Sequence, residues 1–283
     1  MRNNQRRLGG NKAPAPDAPA PVLAQAQQAP LAFVTPTEFV ELPSRGRFYS
    51  ADHPLHGEET VEIRYMTAKE EDILSSSTLI KKGIVIDRLL QSLLVDDTVD
   101  PSTLLVGDRN AILIAARISA YGSKYEAEVT CPSCSAKSKE TYDMSSLELR
   151  EKCFDESFLK ENKVEFDNAG TFHMHLPRSD VRVSFGMLTG FDEARLAKDL
   201  LKKEDNMITG VLSYMVDSVD GNFDRHTVQQ FVNSMPASDS RLLRKVYNQL
   251  IPNVDMTQEF YCFECAFEKD LEVPLNAEFF WPR

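Results

Sequence analysis

The sequence predicts an α+β fold, in which helical units lead into short antiparallel hairpins and two CxxC knuckles form one split zinc-ribbon-like site. Apolar residues recur at helical spacing in several segments, most clearly behind Asp108 and up to Tyr121. Other segments alternate polar and apolar residues as strands do, for example Glu59–Tyr65. Each CxxC pair, Cys131–Cys134 and Cys262–Cys265, lies between two strand-like runs. These three patterns together predict the fold class.

Length and composition indicate a globular chain with a substantial core. The chain has 283 residues, enough for one large or two ordinary domains, and 42% of them are hydrophobic. No apolar run approaches the roughly 18–20 residues needed to span a bilayer. The basic start is not followed by the apolar segment of a secretory signal. Five cysteines, mostly in CxxC pairs, therefore fit metal ligation in a reducing cytoplasm better than a disulfide framework.

Composition also divides the chain into three parts. Residues 1–32 are rich in Ala, Pro and Gln and cannot bury a core, so they are predicted to form a disordered tail that orders only on a partner. Residues 33–145 are predicted to form an N-terminal α+β unit that ends in the first CxxC hairpin. Residues 146–283 are predicted to form a C-terminal α+β unit that ends in the second.

The charge distribution disfavours nucleic acid as a partner. The net charge is −11, although residues 1–12 contain four basic residues and no acid. The rest of the chain is therefore more acidic than the total indicates. An acidic body repels phosphate backbones, which are bound through clustered Lys and Arg.

The N-terminal unit is predicted to contain three helices and the first hairpin. Thr67 and Glu70 have the spacing of a capping box that opens the first helix. Gly83 and Gly122 have the positions of helix ends. In chain order, the predicted elements are the strand Glu59–Tyr65, one helix from Thr67 to Gly83, helices at Val85–Val95 and behind Asp108 to Tyr121, and the hairpin strands Tyr125–Thr130 and Lys137–Tyr142.

The C-terminal unit is predicted to follow a similar plan. A first helix, Ser146–Leu159, contains the lone Cys153, which is predicted to be a buried or semi-buried thiol. The remaining predicted elements are strands at Lys163–Phe166, Thr171–Leu176 and Val181–Phe185, helices at Asp192–Lys203, Met207–Asp217, His226–Ser234 and Ser238–Leu250, and the hairpin strands Gln258–Tyr261 and Lys269–Val273.

The four paired cysteines are the strongest candidate site. Cys131, Cys134, Cys262 and Cys265 offer the four thiolates that structural zinc prefers, and we expect them to hold one Zn²⁺ ion. The long separation of the pairs means that the fold must bring the middle and the end of the chain together. Two metals, or a metal shared between subunits, are an alternative. A redox CxxC is a third, although such motifs open a helix and these flanks are strand-like.

Other candidate residues do not assemble a catalytic site. His173 and His175 alternate along a predicted strand, but no third metal ligand is evident near them. The acids that follow Thr67 are explained by the helix dipole. The sequence contains no GxGxxG, Walker, GxSxG or HExxH motif, and its carboxylates are scattered. The sequence therefore predicts no enzymatic activity.

The order of several short motifs resembles a known family. These motifs are Leu42–Gly46, Ile63–Glu71, Gly107–Arg109, Arg117–Gly122, Cys131–Cys134, Cys262–Cys265 and Phe279–Pro282. Between residues 38 and 283 the chain resembles the baseplate hub and baseplate assembly protein family of T-even-type, contractile-tailed bacteriophages. The resemblance covers the chain apart from its tail and does not by itself imply a metal.

The resemblance implies a non-enzymatic tail baseplate protein, either a hub component or a baseplate assembly factor. Its implied partners are other phage baseplate and tail proteins, and its implied location is the virion tail baseplate, assembled in the host cytoplasm. The segments Leu42–Gly46 and Phe279–Pro282 are candidates for partner contact, with core packing and turn chemistry as the alternative. Two other functions compete with this one: a zinc-ribbon nucleic-acid-binding regulator and a CxxC oxidoreductase.

Overall fold

The first regular elements form a two-stranded antiparallel sheet, β1 (Thr37–Glu41) and β2 (Thr60–Arg64). The structure is a computed structural model that describes residues 34–167, 170–202, 207–273 and 277–280. The predicted tail, residues 1–32, lies outside the described residues. Thr35–Arg283 groups as one unit by its contacts. The predicted division of the chain at residues 145/146 stays a prediction.

Three short helices follow: α1 (Ala68–Ser75), α2 (Ser77–Lys82) and α3 (Val85–Leu93). The capping box is present, because the Glu70 carboxylate accepts from the Thr67 amide at 2.9 Å. The prediction of one continuous helix up to Gly83 was wrong. Ser76 adopts an extended conformation and accepts from the Leu79 amide, so its side chain caps a second helix instead of continuing the first.

The long helix α4 (Val106–Tyr121) is largely buried and runs through the core. It begins three residues earlier than predicted, so Asp108 lies inside its first turn and not ahead of it. Gly107 allows α4 to approach the backbone at Pro252, since a Cβ there would lie 2.0 Å from the Pro252 carbonyl oxygen. This close approach places α4 beside the chain that leads to the second hairpin.

Both predicted hairpins are present and antiparallel. The first consists of β3 (Lys124–Thr130) and β4 (Lys137–Asp143). The second consists of β11 (Thr257–Tyr261) and β12 (Glu268–Glu272). The alternation of buried and exposed residues along β3 explains why these strands were predictable from their sequence.

The segment 146–161 differs from its prediction. A helix over Ser146–Leu159 was expected, but β5 (Leu149–Arg150) pairs with β10 (Asn253–Val254), and the helix is reduced to α5 (Glu156–Glu161). The Asp155 carboxylate accepts from the amides of Ser157 and Phe158, which places the start of α5 there. Cys153 is buried, as predicted, in a short 3₁₀ turn.

Between α5 and β10, the described residues form a four-stranded antiparallel sheet and four helices. The sheet contains β6 (Val164–Phe166), β7 (Phe172–Leu176), β8 (Val181–Phe185) and β9 (Val216–Val219), in that order. The helices are α6 (Gly190–Lys202), α7 (Met207–Met215), α8 (Arg225–Ser234) and α9 (Ala237–Leu250). The predicted helix Met207–Asp217 was too long, because β9 begins at Val216 and pairs with β8.

Buried side chains form two clusters. One contains α4, the first hairpin and also residues of the second hairpin, including Phe260, Cys262 and Val273. The other contains the four-stranded sheet with helices α7, α8 and α9. The second hairpin therefore packs in the same cluster as the first, although more than a hundred residues separate them in sequence.

The segment Leu42–Gly46 is packed within the fold and hydrogen-bonded to it. Leu42, Pro43 and Ser44 are buried. The Ser44 hydroxyl donates to the carboxylate of Asp108 at 2.6 Å, and the Tyr49 hydroxyl donates to the same carboxylate at 2.8 Å. Core packing and turn chemistry therefore account for this segment.

Candidate metal centre

The first hairpin presents its two cysteines on a tight knuckle between β3 and β4. The Cys131 amide donates to the carbonyl oxygen of Ala136 at 2.8 Å, and the Ser135 amide donates to the carbonyl oxygen of Cys131 at 2.9 Å. Ser135 has a positive φ of 62°, which turns the chain back into β4. The knuckle therefore places both sulfur atoms on one side of the hairpin tip.

The second knuckle repeats these contacts residue for residue. The Cys262 amide donates to the carbonyl oxygen of Phe267 at 2.8 Å, and the Ala266 amide donates to that of Cys262 at 2.9 Å. Ala266 occupies the position of Ser135 and also has a positive φ, of 55°. The two CxxC pairs thus form the same local structure at two distant places in the sequence.

The two knuckles meet. The sulfur of Cys131 lies 3.8 Å from that of Cys265, and the sulfur of Cys134 lies 3.6 Å from that of Cys262, although 128 positions separate the latter two. All four sulfur atoms lie within 4.8 Å of one another. No pair is bonded as a disulfide. The four cysteines lie close enough together to hold a metal ion.

These distances fit a tetrahedral ion. Four sulfur atoms at about 2.3 Å from a central zinc are about 3.8 Å from one another. The two shortest contacts between the hairpins, 3.6 and 3.8 Å, agree with that spacing. A disulfide would need about 2.05 Å between sulfurs. The donor set therefore fits a four-thiolate site.

Burial and electrostatics are unequal within each pair. Cys131 and Cys262 are buried, whereas Cys134 and Cys265 are exposed. Burial acts to raise the pKa of Cys131, but hydrogen bonds from the amides of Cys134 and Ser133 lower it to about 7. The amide of Ala136 acts to lower the pKa of Cys134, but the neighbouring cysteine side chains raise it to about 12. Cys131 therefore ionises readily, whereas the neighbouring sulfur atoms oppose ionisation of Cys134.

The end of the chain keeps the first hairpin in place. Arg117 in α4 donates from Nε to the carbonyl oxygen of Phe279 at 2.8 Å. The rings of Phe279 and Tyr125, the second residue of β3, meet edge to face with centroids 5.3 Å apart. Phe279 and Phe280 are buried, while Trp281 and Pro282 lie outside the described residues. Sequence reasoning missed the role of Arg117, although a basic residue within an apolar helix pattern was a signal for it.

The remaining sequence candidates do not join this site. Cys153 is buried in the other cluster. His173 lies 3.0 Å from a carboxylate oxygen of Asp167, and His175 lies 3.4 Å from one of Asp180. Among the residues that the structure describes, the four paired cysteines are the group of potential metal ligands that is found. The two histidines therefore form separate pairs with acids.

Neither CxxC pair has the setting of a redox motif. Both lie between antiparallel strands, and no helix begins at either of them. Redox pairs lie at a helix start, where the dipole and the free amides stabilise a thiolate. In this structure each knuckle instead faces the cysteines of the other.

Elsewhere, a polar cavity of about 410 Å³ lies between α6, α7 and α8. Its walls include Asp192, Arg195, Asp217 and Arg225. The guanidinium of Arg225 donates to the carbonyl oxygens of Val216 and Ser213, so it is held by the backbone.

Among the described residues, no helix is long and apolar enough to cross a membrane.

Comparison with known proteins supplies a family. No curated protein and no solved structure matches this chain. The sequence does match the family described as T4 bacteriophage base plate protein, from residue 37 to residue 281. That span includes both CxxC hairpins and the whole described fold from β1 to the segment that contacts Arg117. The resemblance predicted from the short motifs is confirmed, and the chain belongs to the T4-type phage baseplate protein family.

Proposed function

We propose that this chain is a non-enzymatic structural protein of the phage tail baseplate, either a hub component or an assembly factor. It acts through contacts with other baseplate and tail proteins, and one structural zinc ion holds its two hairpins together. The baseplate role follows from membership of the family. Membership supports a location at the virion tail baseplate, and the proposal adds that the baseplate is assembled in the host cytoplasm.

The observation that supports the zinc is the meeting of two matching knuckles. Cys131 with Cys265, and Cys134 with Cys262, approach to the distances of a tetrahedral four-sulfur site. A bound zinc ion would keep all four thiolates ionised and join them. The contributions of the chain itself are the two knuckle turns and the shared apolar cluster that brings them together.

The free energy that zinc binding is expected to add to folding is large enough for the ion to have a structural role. Zinc contributes about 10–16 kcal/mol to the folding of small zinc-finger peptides. A typical domain is stable by only about 5–15 kcal/mol in total. The metal-bound hairpins would therefore form a rigid unit, which suits a protein that is assembled into a large particle.

The experiment that tests the baseplate function is quantitative mass spectrometry of purified virions, together with a phage that lacks this gene. A hub component is expected at fixed stoichiometry in each virion. An assembly factor is expected to be absent from virions while its loss stops baseplate formation. Normal, infectious tails from the phage without the gene would contradict both forms of the proposal.

The competing function, binding of nucleic acid through a zinc ribbon, has a direct test. The exposed face of the second hairpin is acidic, with Glu259, Glu268, Asp270 and Glu272 on it. Such a face repels phosphates. No retention of DNA or RNA in a filter-binding assay at low salt is expected, and retention would favour the competing function.

A further inference from the structure

The outward faces of the two hairpins differ in charge, although their knuckles have the same backbone. On the first hairpin, the exposed cross-strand pairs mix acids and lysines. Glu128 forms an ion pair with Lys137 at 2.7 Å and lies opposite Lys139. Lys124 lies opposite Asp143. The positive and negative charges on this face therefore balance one another.

The second hairpin has a face of the opposite kind. We call it the acidic face, and its members are all exposed: Thr257, Glu259, Tyr261, Glu268, Asp270 and Glu272. Glu259 lies directly opposite Asp270, so two carboxylates share a cross-strand position. Within the described part of the chain, no ion pair is formed by these four acids. The lysine of this hairpin, Lys269, lies opposite the buried Phe260 and thus on the other face.

Two aromatic rings stand at the tip of the acidic face. Phe263 lies within the CxxC knuckle and is 84% exposed, and Tyr261 is 46% exposed. Their ring centroids are 5.2 Å apart with an interplanar angle of 79°, so Tyr261 supports Phe263 edge to face. The first knuckle has Pro132 and Ser133 between its cysteines and no aromatic residue there.

The facing carboxylates of Glu259 and Asp270 and the exposed ring of Phe263 are unfavourable in the isolated chain. Like charges directly opposite each other destabilise a hairpin, and an exposed phenylalanine leaves apolar surface in water. Aromatic side chains that fill pockets, surrounded by charges that complement the partner, are typical of binding hot spots. The acidic face therefore has the properties of a contact surface whose partner has the opposite charge.

We propose that the acidic face docks a neighbouring baseplate protein, which presents clustered Lys and Arg around an apolar recess that receives Phe263. This inference rests on the proposed function, because that function supplies protein neighbours. Nucleic acid is disfavoured because the face repels phosphate groups. A second copy of this chain is disfavoured because its net charge is −11 and its other hairpin face is balanced.

The test uses a phage that lacks this gene and is complemented with full-length variants. Two variants alter the acidic face independently: Phe263→Ser, and Glu259→Lys combined with Asp270→Lys. The control places two lysines at an exposed cross-strand pair of the first hairpin, Glu126→Lys with Thr141→Lys. Each purified variant is first compared with the wild type for zinc content and melting temperature, because Phe263 adjoins two ligands.

We expect both acidic-face variants to lower the yield of complete tails at least about tenfold, as loss of a hot spot does. The control should keep the wild-type yield, and all purified proteins should keep their fold. Selection for restored growth of the double-lysine variant should give second-site changes from Lys or Arg to Asp or Glu in another tail protein. That protein would be the partner.

Several outcomes would overturn the docking surface. One is a wild-type tail yield from both acidic-face variants, and another is an equal loss from the control. Suppressors confined to this chain would also overturn it, since they would indicate a second copy or an internal defect. These failures are distinct from failure of the proposed function, in which tails would form normally without the wild-type protein.

Discussion

Arg117 donates a hydrogen bond from Nε to the carbonyl oxygen of Phe279 over 2.8 Å, although 162 positions separate the two residues. The same guanidinium donates to the carbonyl oxygens of Gly122 at 2.7 Å and Lys124 at 3.1 Å. Lys124 is the first residue of β3, which leads to the first knuckle. One buried side chain thus joins the end of the described chain to the base of the first hairpin.

Replacement of Arg117 should therefore weaken the whole fold. Arg117→Met removes donors from three backbone carbonyls: the bond to Phe279 is buried and those to Gly122 and Lys124 are partly buried. An orphaned buried acceptor costs about 1–3 kcal/mol. We expect the free energy of unfolding to fall by about 3 kcal/mol or more, measured by urea denaturation. Arg117→Lys, which keeps the charge but cannot reach all three carbonyls, should give an intermediate loss. The exposed Arg88→Met is the control, and an equal effect of both Met variants would contradict this role.

Substitution of Gly107 tests whether α4 lies in close contact with the segment that precedes the second hairpin. Alanine at this position would raise helix propensity by about 1 kcal/mol. Its Cβ would, however, lie 2.0 Å from the carbonyl oxygen of Pro252, so the backbones would have to separate. We expect Gly107→Ala to lower the free energy of unfolding by about 1–3 kcal/mol.

The matched control for that change is Gly210→Ala in α7. A Cβ at Gly210 would meet only the end of the Leu200 side chain at 3.2 Å, which can move aside. This variant should be neutral or slightly more stable than the wild type. Equal stability of the two alanine variants in thermal unfolding would show that the approach of α4 to Pro252 is not tight.

Asp217 should make stability depend on pH. Burial raises the pKa of Asp217 from 3.8 to about 6, with Arg225 opposing the rise and Asp192 adding to it. Well below pH 4 this carboxyl is neutral in both states and its contribution is fully present. Between about pH 4 and about pH 6 the unfolded state ionises while the folded state still holds the proton, so stability falls over this range and then levels off.

Asp217→Asn should remove that loss. We expect the variant to gain about 1–3 kcal/mol over the wild type at pH 7 and to match it more closely at pH 4. The exposed Asp52→Asn is the control and should leave the pH profile unchanged. A wild-type profile that is flat between pH 4 and pH 7, or a gain that is the same at both pH values, would refute the assignment.

Local patterns explain which parts of the fold were predictable. The hairpins and the start of α1 were predicted well because alternation and a capping box are local signals, as in β3 and at Thr67. The helix expected over Ser146–Leu159 failed because Leu149 and Arg150 pair with a strand about a hundred residues later. The end of the helix predicted over Met207–Asp217 likewise failed, because Val216 and Asp217 belong to β9, which pairs with β8.

The sequence predicted which residues form the candidate site, but not the contacts that hold the two hairpins together. CxxC spacing identified the four cysteines, and a tetrahedral ion required the pairs to meet. The contacts that bring them together, from Arg117 to Phe279 and between α4 and Pro252, join residues that no local pattern relates. The ion itself stays a prediction from the chemistry of the four sulfurs.

The central claim is that one zinc ion joins the two hairpins. Its most direct test is the zinc content per chain of the full-length protein, measured by elemental analysis for the wild type and three variants. Cys131→Ser and Cys262→Ser each remove one ligand from a different hairpin, while Cys153→Ser removes the cysteine that lies in the other cluster. We predict one zinc per chain in the wild type and in Cys153→Ser, and loss of zinc from both of the other variants. Absence of zinc from the wild type, or loss in only one of the two hairpin variants, would contradict the claim.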